Sequence, residues 1–400
     1  MIKAILRKMF VVSLTLVLAF SCDAGVYASG GQNSDKSQAV AAKLPQEELK
    51  TIGADSYILT EMKTGAVLFE KNADNKICSG HFNKLMVLLL LAREIDSGRV
   101  KAVDVFTATD NANAQKDPQI WLNRNEEITV DELIKAITVG NANDAAVTAA
   151  ENLSDSLEKF VSLMNETADE LGMKATVYVD CTGLAKENTT TARDLSVLCA
   201  ELEKYDFLKP YLKTWMVNVR QGKAELVNSN RLVRNYSGIT GMKAFASKEY
   251  GSCGCITAEK SRLQLCAVVI GCKDNDSRDA DAKTLLKVGA QCYQLYSPEV
   301  PIEMLESIPV THGQELECEL ELENKPVVVI RRGTSAELEK KTKREETLEA
   351  PVEKGQVCAE YQLLYQGNSV CTVNIVSKRK VERMNWACGV KKLLYSLIGF

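Results

Sequence analysis

Two basic side chains one helical turn apart are the first residues in this sequence that could do chemistry. His81 precedes Lys84 by three positions at the start of an apolar run, and residues three apart share one face of a helix. A lysine in that position can take the proton of a nucleophile on the same face and so activate it. Histidine could itself act as a base or a nucleophile. The spacing therefore suits a base beside a nucleophile, although no hydroxyl stands at position 81.

Other kinds of site have little support in the composition. The chain has two histidines, which leaves little room for a histidine-rich metal site, and its 13 cysteines include no CxxC pair with a matching second pair. With 49 Lys and Arg against 53 Asp and Glu, the formal charge is −4, which argues against a nucleic-acid partner. We expect no metal and no other cofactor. The cysteines are expected to be buried thiols, with disulfides as the alternative in an exported protein.

The first residues have the features of an export signal. Three basic residues lie within the first eight positions, an apolar run follows at 9–20, and small residues near 26–28 offer a cleavage site. The apolar run is about a dozen residues long, shorter than the roughly 20 that a membrane span needs. We therefore expect a signal peptide at 1–28, a polar linker at 29–50 and an extracytoplasmic mature protein. Acylation at Cys22 is the alternative to simple cleavage.

The pattern that follows predicts one α+β domain at 51–295. Alternating apolar residues indicate one hairpin at 56–70 and a second at 250–271, and the region between them has helical periodicity. Strands at both ends with helices between them imply a domain that is closed by its own terminal strands.

The helices of this domain place the candidate pair. The run at 85–92 is apolar on every side and too short to span a membrane, so it should be a helix buried in the middle of the domain. Thr129 opens the capping box Thr-Val-Asp-Glu and should cap a helix that runs toward residue 152. Further helices are expected at 155–171 and 191–203.

The C-terminal part changes character. Short alternating strands predict a small all-β domain at 296–380, and the charged stretch 337–349 within it should be a solvated loop or a sheet edge. Residues 381–400 place Trp386 and several aliphatic side chains on one helical face, with lysines toward the other. Such an amphipathic helix can lie on an anionic membrane surface, and packing on the protein's own surface is the alternative.

Short segments spread over residues 52–380 match one known family in their order and spacing. They are Thr64-Gly65-Ala66-Val67-Leu68, Lys71-Asn72-Ala73, Asn143-Asp144-Ala145-Ala146, Met164-Asn165, Leu171-Gly172-Met173, Thr182-Gly183-Leu184, Thr191-Ala192-Arg193-Asp194-Leu195, Asn228-Ser229-Asn230-Arg231-Leu232 and Ala350-Pro351-Val352-Glu353-Lys354-Gly355. In these segments the chain resembles the D-alanyl-D-alanine carboxypeptidases, the low-molecular-mass penicillin-binding proteins of bacterial cell walls. The resemblance implies a β-lactamase/transpeptidase-like fold, namely a helix–sheet–helix domain with an antiparallel sheet, followed by a small β-sandwich. It also implies that the ligand is a peptidoglycan stem peptide.

Two of the family's three active-site motifs fall on helical segments and are altered here. The motif S-x-x-K falls on 81–84, where His81 stands in place of the nucleophilic serine and Lys84 remains as the base. The motif S-x-N falls on 141–143. Asn141 replaces the serine that relays protons, and an amide cannot shuttle a proton at neutral pH. Asn143, which would hold the substrate amide, is kept.

The third motif, K-T-G, falls on an edge strand of the sheet. Lys243 is kept and would bind the terminal carboxylate of the substrate, while Ala244 replaces the threonine and Phe245 replaces the glycine. A phenyl ring in a place suited to no side chain should narrow or fill the cleft.

Three hypotheses follow from these replacements. The first is a cell-envelope protein of this family, at the outer face of the cytoplasmic membrane, that has lost acyl-transfer activity and binds peptidoglycan or acts as a scaffold. The second is a working serine-type carboxypeptidase that trims stem peptides, which requires a nucleophile from another position. Ser79 and Cys78 are the nearest candidates, but neither has the required spacing from Lys84. The third is a structural protein that binds protein partners only.

Overall fold

The computed structural model of the chain describes residues 46–386 and 389–390. The predicted signal peptide at 1–28, Cys22 and most of the linker at 29–50 lie outside the described residues. Of the amphipathic helix predicted at 381–400, only the first part is described. Within the described ranges, no helix is long and apolar enough to cross a membrane.

The secondary structure alternates between helices and strands up to residue 296 and consists mainly of strands thereafter. The α-helices are α1 (Gln46–Lys50), α2 (Asn83–Asp96), α3 (Asp110–Asn113), α4 (Val130–Thr138), α5 (Asn143–Leu153), α6 (Leu157–Glu170), α7 (Ala192–Leu202), α8 (Lys209–Leu212), α9 (Leu232–Asn235) and α10 (Asn275–Cys292). The strands of the first part are β1 (Ser56–Glu61), β2 (Ala66–Lys71), β3 (Ile77–Cys78), β4 (Val105–Thr107), β5 (Glu127–Thr129), β6 (Thr189–Thr190), β7 (Met216–Val219), β8 (Ala224–Val227), β9 (Ile239–Ser247), β10 (Gly251–Lys260), β11 (Leu263–Cys272) and β12 (Tyr293–Tyr296). Those of the second part are β13 (Ile308–Thr311), β14 (Glu317–Cys318), β15 (Leu320–Leu322), β16 (Val328–Arg331), β17 (Leu338–Arg344), β18 (Leu348–Glu349), β19 (Val357–Tyr365) and β20 (Asn368–Ser377).

A five-stranded antiparallel sheet forms the centre of the first domain, in the order β2-β1-β11-β10-β9. Strand β1 pairs with β11, which lies about 200 residues later in the chain, so that Tyr57 faces Val269. The two predicted hairpins are therefore joined into one sheet, and the prediction of an α+β domain closed by its terminal strands is confirmed.

Helices cover both faces of this sheet. On one face, α2 lies in a large apolar core with α4, α5 and α7, and Leu85 to Leu89 have almost no exposed surface. On the other face, Leu285 and Leu286 of α10 pack on Val269. This is the predicted helix–sheet–helix arrangement, with α2 as its buried central helix.

The helix predicted to run from Thr129 toward residue 152 is two helices. Thr129 caps α4 as predicted, because its hydroxyl accepts a hydrogen bond from Glu132 N at 3.3 Å. However, α4 ends at Thr138, and Asn141 has a φ of +54°. The left-handed backbone at that residue cannot continue a helix, and α5 starts afresh at Asn143.

The second part of the chain is all β, as expected. A four-stranded sheet in the order β15-β20-β19-β17 shares apolar clusters with smaller sheets of β13, β14 and β18 and of β12 and β16. Two of the short strands, β14 and β15, lie between residues 317 and 322 and belong to different sheets. Most of the charged stretch 337–349 forms the exposed edge strand β17, in line with the prediction of a loop or edge, and its end forms β18, which pairs with β13.

The described cysteines carry free thiols, and eight of these eleven side chains are buried. Cys253 and Cys255, for example, are both buried in β10. The structure therefore agrees with buried thiols and not with the alternative of disulfides.

Candidate functional site

The start of α2 brings His81 and Lys84 together. A 3-10 turn at Gly80–Phe82 leads directly into the helix, and His81 Nδ1 lies 3.1 Å from Lys84 Nζ. Lys84 Nζ also donates to Thr182 O at 2.7 Å. Lys84 is completely buried, whereas His81 is half-buried. The amine is therefore held between an imidazole and a backbone carbonyl.

Burial controls the charge of both groups. It lowers the pKa of Lys84 from its ordinary 10.5 to about 7, and the nearby acidic groups Cys181, Asp180 and Asp144, which act to raise that pKa, offset only part of the effect. For His81, burial and then the charges of Lys84 and Lys243 lower the pKa to about 3. The imidazole is therefore neutral at pH 7, and its Nδ1 can accept a hydrogen bond from the lysine.

Replacing the buried lysine should change how stability depends on pH. The unfolded chain holds a proton on Lys84 up to pH 10.5, whereas the folded chain loses it near pH 7, so the unfolded state binds more protons between these values and stability rises with pH there. The lowered pKa means that burying the amine is unfavourable by several kcal/mol at pH 7, since one pKa unit corresponds to about 1.4 kcal/mol. Removing the amine relieves this cost but leaves the carbonyl of Thr182 without its donor, which costs about 1–3 kcal/mol. We expect Lys84→Met to stabilise the fold by about 2 kcal/mol at pH 7, as measured by urea unfolding.

The gain should shrink as the pH rises toward 10. Lys287→Met is the control, because that side chain is exposed and its removal should leave both stability and its pH dependence nearly unchanged. A Lys84→Met protein that is less stable than wild type at pH 7 would show that the contacts of the amine outweigh the cost of burying it.

The break between α4 and α5 positions the two asparagines differently. Asn141 lies in the turn, with its Nδ2 within 3.2 Å of Ser229 Oγ and 3.4 Å of Ala244 O. Asn143 lies in the first turn of α5, and its Nδ2 donates to Lys116 O at 2.8 Å. Asn143 Oδ1 is buried and has no hydrogen-bond partner among the described residues.

Lys243 lies on the edge strand β9 and points inward. Its Nζ donates to Asn141 Oδ1 at 2.6 Å and to Ile137 O at 2.7 Å. Burial and the charge of Lys84 lower its pKa well below the ordinary value. The predicted carboxylate-binding group is therefore already engaged by the protein itself, and Asn141 at the position of the relay serine is one of its partners.

Phe245 occupies the space between β9 and the start of α2. Its ring packs edge-on against His81 and Phe82, with centroid separations of 5.2 and 4.9 Å. The side chain is 5% exposed, and Ala244 beside it is buried. A methyl group on Gly80 would lie 2.8 Å from the ring, so the ring is in close contact with the backbone of the turn. The prediction that Phe245 narrows or fills the cleft is consistent with this packing.

The two substitute nucleophiles have other partners. The Ser79 hydroxyl donates to Asn83 Oδ1, and the side chain is buried. Cys78 lies in β3, and its Sγ is 3.8 Å from Ala185 O. Neither side chain is hydrogen-bonded to Lys84.

Residues 180–188 support the site and were not assigned a role from the sequence. The loop brings the carbonyl of Thr182 to Lys84, and Gly183 packs on Gly80 so closely that a built Cβ would lie 1.7 Å from Gly80 O. The Thr-Gly-Leu segment there was part of the family resemblance, which was the available signal. In the part of the chain that the structure describes, no group of three or more His, Cys, Asp or Glu residues could hold a metal ion.

Comparison with known proteins decides the family. The family model for D-alanyl-D-alanine carboxypeptidases matches residues 40–274, more than half of the chain. The chain belongs to this family. The family model for the C-terminal domain of penicillin-binding protein 5 matches residues 294–383 of this chain, which are its all-β part.

Individual relatives and a solved structure each match more than four fifths of the chain. The D-alanyl-D-alanine carboxypeptidase DacF of Bacillus subtilis (strain 168) is 29% identical over 346 residues, 85% of this chain and 89% of DacF. DacC of Escherichia coli (strain K12) is 27% identical over 344 residues, 84% and 86% of the two chains. The crystal structure of penicillin-binding protein 5 from Haemophilus influenzae has a TM-score of 0.77 at 22% identity and covers 86% of this chain and 100% of its own. The last of these shows that the two proteins share a fold.

Proposed function

We propose that this chain is a cell-envelope member of the carboxypeptidase family that binds peptidoglycan or serves as a scaffold and does not catalyse acyl transfer. One observation carries the proposal. The side chain one helical turn ahead of Lys84 is an imidazole in contact with its amine, and neither hydrogen-bond partner of that amine is a hydroxyl or a thiol. An acyl-enzyme ester needs such a nucleophile next to its base.

The rest of the site supports the same proposal. Lys243 is turned into the protein toward Asn141, and the ring of Phe245 packs against His81. A substrate carboxylate would have to displace Asn141 from Lys243, and a substrate backbone would have to displace the ring. The protein thus keeps the fold of the carboxypeptidases, but its own side chains occupy the places where the substrate would bind.

The location follows as part of the proposal. The export signal predicted at 1–28 and the kinship with wall-acting enzymes favour an extracytoplasmic protein. The domain bounds of 51–295 and 296–380 are retained as proposed units, and the helix proposed at 381–400 would hold the chain at the outer face of the membrane. Peptidoglycan stem peptides are the proposed ligands.

Wild-type protein should be inert toward the substrates of the family. We expect no covalent adduct after incubation with fluorescent penicillin, as judged by gel fluorescence and intact-protein mass, and no D-alanine released from a pentapeptide ending in D-Ala-D-Ala. The Bacillus subtilis DacF is the positive control in both assays. Stoichiometric penicillin labelling of this chain would refute the proposal.

An active carboxypeptidase is the second candidate, and one observation favours it. The pKa of Lys84 is about 7, which is close to the value that suits a general base at neutral pH. The acyl group would then have to reside on His81, the residue in contact with that base. Peptide mapping of a penicillin adduct to His81 would establish this mechanism.

A further inference from the structure

Trp121 is the most conspicuous side chain outside the acyl-transfer positions. It lies in the loop between α3 and β5, its side chain is 59% exposed, and its backbone φ is +58°. A single exposed aromatic residue on a surface is common, but a bulky residue in the left-handed region is a genuine outlier. Such strain persists only where the surroundings impose it, and it is found mainly at functional sites.

The surroundings hold both neighbours of Trp121. The carboxylate of Asp144 accepts hydrogen bonds from Ile120 N and Leu122 N, each at 3.0 Å. Arg220 Nη1 donates to Ile120 O at 2.7 Å, and Asn113 Nδ2 donates to Leu122 O at 2.9 Å. The loop is therefore a rigid support that directs one aromatic side chain outward.

The indole ring is held at its polar atom, and the residue is more than half exposed. With the Gln119 amide oriented to satisfy its partners, its oxygen accepts from Trp121 Nε1 at 3.2 Å and its nitrogen donates to Gln115 O at 3.0 Å. The polar atom of the indole is thus already used. The exposed part of the indole therefore offers a ligand a flat apolar surface and no free hydrogen-bond donor.

The loop is attached directly to the former S-x-N motif. Asn143 N donates to Pro118 O at 2.7 Å, and Asn143 Nδ2 donates to Lys116 O at 2.8 Å. The platform therefore stands next to Asn143, whose buried Oδ1 has no partner among the described residues. The loop that carries Trp121 is therefore anchored beside the old cleft.

The charges around Trp121 favour a neutral ligand. Arg124 pairs with Asp110 at 3.2 Å, and Arg220 pairs with Glu126 at 2.6 Å. Lys116 and Asp117 are both exposed and bring one charge of each sign, so the charges near Trp121 balance. A stem peptide carries carboxylates and would need an available cation, whereas the apolar C–H face of a sugar ring needs only an aromatic face.

We propose that Trp121 is a stacking platform for a pyranose ring of the peptidoglycan glycan strand. This inference rests on the proposed peptidoglycan-binding role and gives that role a chemical class of ligand. A single stacking contact is weak, but a glycan polymer presents many equivalent rings, so that the effective affinity for a strand exceeds that for one sugar.

The test compares binding of bare glycan strands, from which an amidase has removed the stem peptides, with binding of free stem pentapeptide. We expect Trp121→Ala to weaken glycan binding by about tenfold, the effect typical of one lost stacking contact, and to leave pentapeptide binding unchanged. Trp121→Phe should stay within about threefold of wild type because it keeps an aromatic face. Trp386→Ala is the matched control, since that tryptophan is 85% exposed and should not matter.

Trp121→Gly separates ligand binding from folding. Glycine accepts a φ of +58° without strain, so its melting temperature should equal or exceed that of wild type, whereas its glycan binding should be as weak as that of Trp121→Ala. If the wild type binds intact sacculi and Trp121→Ala binds glycan strands as tightly as the wild type does, this inference is overturned. The proposed peptidoglycan-binding role then still stands. Loss of pentapeptide binding in place of glycan binding also overturns the inference. Failure of the wild type to bind sacculi or either fragment overturns the peptidoglycan role as well, and penicillin labelling tests the missing acyl transfer independently of both.

Discussion

A chain carrying His81→Ser, Asn141→Ser, Ala244→Thr and Phe245→Gly should be acylated by fluorescent penicillin, with labelling about a thousandfold or more above the wild-type background. The reason is that Lys84 is still buried one helical turn after position 81 with a pKa of about 7, ready to take a serine proton. Removing the nucleophile of a serine enzyme alone costs about six orders of magnitude in rate, so restoring it should have a very large effect. Labelling rates and the mass of the adduct are the measurements.

Two further variants make the result interpretable. Adding Lys84→Met to the quadruple variant should abolish labelling, because the serine then has no base. His81→Ser alone tests the nucleophile with Phe245 still in place, and we expect it to label far more slowly than the quadruple variant. A folded quadruple variant that remains unlabelled would show that the cleft has diverged beyond these four positions.

The change Phe245→Gly by itself should cost about 4 kcal/mol of unfolding free energy. The ring is 5% exposed and packs on His81 and Phe82, and deleting a buried phenylalanine side chain typically costs about 3–5 kcal/mol. Glycine in the middle of β9 adds about 0.5–1 kcal/mol through its backbone entropy. Urea unfolding followed by circular dichroism measures the loss.

Phe245→Leu is the matched control for that experiment. It keeps most of the apolar volume, and such substitutions usually cost less than about 1.5 kcal/mol. A loss below about 1 kcal/mol for Phe245→Gly would mean that the ring contributes little to the core and that the cleft can open at low cost. The large expected value instead implies that the ring has become part of the hydrophobic core.

Much of the fold could be predicted because its signals are local. The alternation at 56–70 and 250–271 gave the two hairpins, and the apolar run at 85–92 gave the buried helix α2. The capping box at Thr129 gave the start of α4 correctly. Its end was missed, because the turn at Asn141 depends on contacts with Ser229 and with β9, far away in the chain.

The altered motifs could likewise be located from the order of residues, but the contacts of their side chains could not. The sequence placed Lys243 as a carboxylate-binding group, whereas the structure turns its amine toward Asn141. The sequence placed Lys84 on one helical face with His81, and the structure adds the carbonyl of Thr182 as the second partner of its amine. The contacts of Lys243 with Asn141 and of Lys84 with Thr182 each join residues about 100 positions apart in the chain, which no local period encodes.

By itself the sequence determined the family, the layered architecture and the lack of a hydroxyl one turn before Lys84, since each depends on which residue stands at which position. Only the tertiary structure decided that the phenyl ring of Phe245 packs against His81 and that Trp121 is held outward on a strained backbone. The physical reason is that burial, pKa and backbone strain arise from packing between distant segments. They exist only once those segments have come together.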